Sequence, residues 1–180
     1  MADEQKIIAE VVRWIEKAVI GLDLCPFAKP VYEQGRIHYI VSPSEQVDGL
    51  MFDLHAQLLW LRQHPEIETT LLIIPCQLAD FTDFNQMLDA AEALLEAYDC
   101  VGEFQLASFH PQYQFAHTQI DDRENWSNRA PYPILHILRE SSLEQAIEHY
   151  PKVEEIPARN IRKLRSLDNI SFKAIFEPDL

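Results

Sequence analysis

The chain has 180 residues, 47% hydrophobic and 24% charged, the ordinary balance of one globular domain long enough to bury a core without disulfide or metal staples. Its 29 acidic and 15 basic side chains give a formal net charge of −14, a field that repels a phosphate backbone and speaks against a nucleic-acid partner. Three widely spaced cysteines without a CxxC exclude a disulfide framework and a zinc ribbon, and no apolar run approaches the ~20 residues that span a bilayer, so no membrane partner is expected.

In chain order, residues 3–22 carry Ile7, Ile8, Val11, Trp14, Ile15, Ala18 and Val19 at helical steps, and Gly21 marks the end. The polar, acidic N-terminus lacks the pattern of a secretory signal, which predicts a cytoplasmic protein. Pro26, Pro30 and Gly35 punctuate an expected loop, and residues 36–42 read as a strand. Ser42, Pro43 and Glu45 form a capping-box pattern that predicts a helix start, with Val47, Leu50, Leu54, Leu58 and Leu61 on its apolar face. Residues 69–76 are almost continuously apolar, as in a strand covered on both faces. A helix over 83–98 and a strand over 103–109 follow. Beyond an irregular stretch, 134–139 reads as a fourth strand, without a preceding helix and therefore open to antiparallel pairing. Ser141 and Glu144 form a second capping-box pattern, Pro157 opens a last helix, and 171–176 fits strand or helix. The expected fold class is α/β: a single domain over 1–180, with a mainly parallel or mixed sheet of about four strands packed against helices.

Residues 110–133 exceed the usual length of an irregular connection, and long ordered loops are commonly functional. Tyr113, Phe115, Trp126 and Tyr132 argue for a folded loop rather than a disordered one. Its polar groups suit a site where the loop meets the strand ends. His110 has the side chain for a general acid or base, and His136, on the fourth strand, for its partner. Arg129 suits an anionic small-molecule ligand, Asn125 and Asn128 a developing oxyanion, and Tyr113 completes the expected substrate contacts. Structural uses stand beside these: a core histidine, a turn cap, an arginine paired with a carboxylate. His110, His117, Asp121 and Asp122 are ligand types for zinc or iron, but their spacing matches no ligand signature, so no metal ligand is assigned.

Cys25 is the third catalytic candidate, a nucleophile for His110 or His136, with a small packed residue as the alternative. Leu24–Ala28 looks like the active-site turn of glutaredoxins, but the helical period before it and the missing second cysteine do not fit. Cys76 and Cys100 read as packing residues. Arg159, Arg162, Lys163 and Arg165 form a basic cluster, read as a solvated face paired with Glu154 and Glu155.

Three segments carry a family resemblance: Cys25-Pro26-Phe27-Ala28, then 109–116 (FHPQYQFA), then 128–140 (NRAPYPILHILRE). They resemble the bacterial family catalogued as domain of unknown function 1415. The resemblance spans nearly the whole chain and implies a bacterial cytosolic protein of one domain. Its pattern passes through Cys25, His110, Asn128, Arg129 and His136, and it brings an acidic residue to the position of His117. It implies no catalytic residue, cofactor or substrate. The functional expectation is a small-molecule enzyme, a hydrolase or group transferase. The alternatives are a binding or regulatory module that uses Trp126, Tyr132 and Arg129, and a metal-dependent enzyme.

Overall fold

A computed structural model describes residues 2–176. Four strands form one sheet: β1 (Ile37–Val41), β2 (Thr69–Ile73), β3 (Phe104–Phe109) and β4 (Ile134–Arg139), in the order β1-β2-β4-β3. β1 and β2 are parallel, and β4 runs antiparallel to both β2 and β3. The sheet is therefore mixed, with one parallel pair. β4 enters between β2 and β3 because it returns from β3 without a helical crossover.

α3 (Val47–Gln63) and α4 (Phe81–Ala97) cover one face. Leu50, Leu54, Leu58 and Leu61 of α3 and Phe84, Met87, Ala91 and Leu95 of α4 meet Leu72, Leu135 and Ile137 in a closed core. Helical spacing puts each set of four on one stripe, and strand alternation supplies the facing side chains. The other face receives α1 (Ala2–Trp14), α2 (Ala28–Glu33) and α5 (Glu140–Glu148). Val11, Trp14, Ile15 and Ala18 pack there against Leu71, Ile73 and Ile134. α6 (Ile156–Ser166) and α7 (Asn169–Phe176) close the chain, so 171–176 is helical.

Several local expectations change. The first helix runs as α1 only to Trp14 and continues as a π-helical turn over Ile15–Ile20. A Cβ on Gly21 would stand 2.4 Å from the Lys17 carbonyl oxygen, which explains glycine there. The expected loop after Pro26 contains α2, because Pro30 sits in its first turn, where no intrahelical N–H is needed. Ser42 caps no helix: its Oγ and that of Ser44 donate to Asp53 Oδ2 at 2.5 and 2.7 Å, and α3 starts at Val47. The second capping box is also absent, since α5 opens on Arg139 without a side-chain cap. α4 instead has a true cap, Asp80, which accepts from the N–H groups of Thr82 and Asp83.

Candidate functional site

Phe109 and Ile134 face each other across the β3–β4 ladder, so the 110–133 segment leaves the sheet and returns to the same place. It must close on itself, and its polar groups do that work. Asn125, fully buried, accepts from the Phe115 N–H at 3.0 Å and the Thr118 hydroxyl at 2.8 Å, and donates to the Gln119 carbonyl at 2.8 Å. Arg129 donates to the carbonyls of Tyr113 at 3.1 Å and Ile120 at 2.6 Å, with its guanidinium over the Trp126 ring. Asn128 donates to the Ser108 carbonyl, and Tyr113 packs between the rings of Phe81 and Phe115.

His110 is fully buried beside Phe81 and Phe84, on the α4 side of the sheet. Its Nδ1 accepts from the Gln112 N–H at 3.0 Å, so Nε2 carries the proton and donates to the Leu78 carbonyl at 2.9 Å. Burial pushes its pKa down, and both nitrogens are in use. The groups expected to gather over the strand ends thus hold the loop itself. The rings are also packed against the chain. Trp126 meets Phe172 and Phe176 of α7, and the Tyr132 hydroxyl donates to Glu10 at 2.5 Å. Among the described residues, no three His, Cys, Asp or Glu side chains gather as a metal site, so His110, His117, Asp121 and Asp122 do not form one.

Two of the candidates do share a site, on the opposite face. Between the sheet and the layer of α1, α2 and α5 lies a cavity of about 670 Å³, within the size range of small-molecule sites. Leu71, Ala107, Phe109, His136 and Leu138 form its sheet wall. Strand register dictates this set: His136 stands opposite Leu71 and Ala107, with Thr69 two residues before Leu71 on the same face. Trp14, Ile15 and Val19 form a second wall, where the π-helical turn leads through Gly21 into the turn that holds Cys25. Phe27, Pro30 and Val31 continue that wall, and Ser142, Leu143 and Ala146 of α5 roof it, with Tyr150 and the exposed His149 at the rim.

His136 is the polar group of the sheet wall. Its Nε2 lies 2.5 Å from the Thr69 hydroxyl, which also lies 2.6 Å from the Ile137 carbonyl. A hydroxyl has one hydrogen, and the carbonyl can only accept it, so Thr69 must accept from His136. The tautomer is fixed with the proton on Nε2. Nδ1 keeps its lone pair and has no hydrogen-bond partner among the described residues. Burial alone pushes the imidazole pKa down to about 4, so the ring is neutral near pH 7. It lies deep in the protein yet keeps accessible surface, as a side chain on a cavity wall does.

Cys25 lies half-buried on the adjoining wall, where burial pushes its thiol pKa up. The backbone N–H groups of Phe27 and Ala28 act against that by favouring the thiolate, and the Ala28 N–H donates to the Cys25 carbonyl at 3.2 Å. α6 fixes the turn: Asn160 donates to the Leu24 carbonyl at 2.8 Å and Arg159 to the Asp23 carbonyl at 2.6 Å. Arg159 also pairs with the Asp23 carboxylate and reaches the Tyr150 hydroxyl at 2.7 Å, tying the thiol turn to the rim. The basic cluster therefore pairs with Asp23 and, through Arg165, with Glu124 at 2.6 Å, while Glu155 takes Lys152. Of the other cysteines, Cys100 is buried as expected, but Cys76 is exposed.

Sequence reasoning missed Thr69, Glu68, Ser142 and Tyr150. Alternation placed His136 among apolar neighbours, but only the register shows which of them surround the ring. Glu68 pairs with Arg36 at 2.6 Å and accepts from the Ser142 hydroxyl, which fastens α5 to the start of β2. Among the described residues no helix is long and apolar enough to cross a membrane. No curated protein and no solved structure matches the chain. A family model does match, over residues 6–174, so the chain belongs to the family described as proteins of unknown function, DUF1415.

Proposed function

We propose that this protein binds a small molecule in the cavity between the sheet and the α1–α2–α5 layer. One observation carries the reading: a hollow lined mainly by apolar side chains holds an imidazole with an unused acceptor nitrogen. The ring keeps accessible surface on the cavity wall, so a donor on a ligand can reach that nitrogen, and such a hydrogen bond is worth about 0.5–1.5 kcal/mol. The 110–133 loop offers no comparable free group, since its candidate side chains are bonded within the chain.

The reading predicts saturable, one-to-one binding of a neutral apolar dye such as Nile red. Ala107→Phe, beside His136, and Ala146→Phe, on the roof, should each weaken it by roughly tenfold or more, because each ring takes space the dye needs. Melting curves establish that the variants fold. Dye binding indifferent to both substitutions would overturn the proposal.

A second reading, that the cavity is catalytic, is favoured by the sulfur of Cys25. The backbone N–H groups of Phe27 and Ala28 favour the thiolate and oppose the effect of burial, and His136 lines the same cavity as a neutral base. In that case the bound dye should shield Cys25 from iodoacetamide, and His136→Phe should slow its alkylation while exposed Cys76 reacts as before. Alkylation of Cys25 that ignores both would leave binding without chemistry.

A further inference from the structure

We infer that the ligand of this cavity is an uncharged, predominantly aromatic or alicyclic molecule that carries a hydroxyl or N–H donor for His136 Nδ1. The inference rests on the cavity reading above and adds the ligand's charge and polarity.

Charge is the first argument. Two ionic side chains line the cavity, Glu68 and Arg139. The Glu68 carboxylate takes Arg36 on one oxygen and the Ser142 hydroxyl on the other. Arg139 turns its guanidinium to the α3 end, where it donates to the carbonyls of Leu61, His64 and Ile67. The carboxylate is paired, and the guanidinium, although its partners are neutral carbonyls, lies over the Phe104 ring in the α3–α4 core, so neither turns an unpaired charge into the cavity. Arg159 stays outside, held by Asp23 and Tyr150. A ligand carboxylate or phosphate would lose its water without gaining a counter-ion, inside a chain whose own charge is already −14.

Hydrogen-bonding polarity is the second. The relay from His136 Nε2 to Thr69 to the Ile137 carbonyl runs in one direction, so the free nitrogen is an acceptor. It calls for a donor. Trp14, Phe27, Phe109 and Leu138 give much of the wall flat or branched apolar surface, which suits a ring system, while Gln145, His149 and Tyr150 add polar groups to the lining.

A matched series tests this: para-phenylphenol, biphenyl and biphenyl carboxylate, each displacing bound Nile red. The phenol should bind roughly tenfold more tightly than the hydrocarbon, the value of one recovered hydrogen bond, and the carboxylate should be the weakest. His136→Phe should bring the phenol-to-biphenyl ratio to about one. Thr69→Val keeps the side-chain shape but removes the group that fixes the tautomer, and it should lower the same ratio. A merely structural threonine would weaken both ligands together. Equal binding of phenol and hydrocarbon, a tightest carboxylate, or failure of all three to displace a bound dye overturns the inference and leaves the cavity reading in place. A dye insensitive to Ala107→Phe and Ala146→Phe overturns the reading beneath it.

Discussion

At the residue scale, His110 and His136 show how one side chain divides into two uses. Both are enclosed, and burial lowers the pKa of both. His110 has a backbone partner on each nitrogen, whereas His136 has one partner and one idle nitrogen. Sequence alone puts His110 first, because it stands before a proline at a strand end while His136 sits among aliphatic residues; the nitrogen without a partner is on His136. Hydrogen-bond satisfaction is a tertiary property and leaves no mark in spacing. The low pKa of His136 has a consequence for stability. Unfolded, the ring takes a proton near pH 6.5, and folded only near 4, so between those values the unfolded chain binds the extra proton. The contribution is whole above about pH 6.5, falls as pH falls through the window, and is gone below about 4. Between about pH 7.5 and 5 it amounts to roughly 2 kcal/mol. Urea unfolding at both pH values should show the wild type losing that much more stability than His136→Leu. Equal losses would mean that the ring is not buried neutral.

Elements were far more legible than sites. Three of the four strands lie within a residue of their expected bounds, β2 starts as expected at Thr69 but ends at Ile73 and not at 76, and the α3 and α4 stripes follow directly from leucine, phenylalanine and alanine spacing. The family resemblance held across residues 6–174. Local start signals fared worse. Ser42 serves the Asp53 carboxylate in place of a helix end, and Ser141 lies inside α5, which starts a residue earlier with Arg139 at its N-cap. The long 110–133 connection was rightly read as folded, and its organising residue is Asn125. Asn125→Asp would replace the donor to Gln119 with an acceptor and bury a charge, at a cost of about 3 kcal/mol or more. Limited proteolysis should then cut within 110–133, and the melting temperature should drop. Dye affinity should persist in the folded fraction, because the cavity lies across the sheet. Its loss in a folded variant would return the loop to the binding site.

Over the whole molecule, the two sheet faces differ in kind. α3 and α4 close one face with interlocked aliphatic rows, while the other face closes only partly and leaves the cavity under α5. α5 spans nine residues, too short to be helical alone, has no buried side chain and lacks a side-chain cap. Its apolar Leu143 and Ala146 face the hollow rather than a filled core, and its hold on the sheet runs through Ser142 to Glu68 and Glu140 to the Gly102 N–H. Little apolar contact means a small free energy of local opening, so the roof should open without unfolding the sheet. That gives a ligand its way in. Native-state hydrogen exchange should find the amides of 140–148 roughly 100-fold or more less protected than those of central β2, whose five residues are all buried. Nile red or para-phenylphenol should raise protection in α5 and in the π-helical turn and leave α4 unaltered, since α4 touches only the closed face. An α5 as protected as β2 without any ligand would mean a roof fixed to the sheet, and the cavity would then have no door at this side.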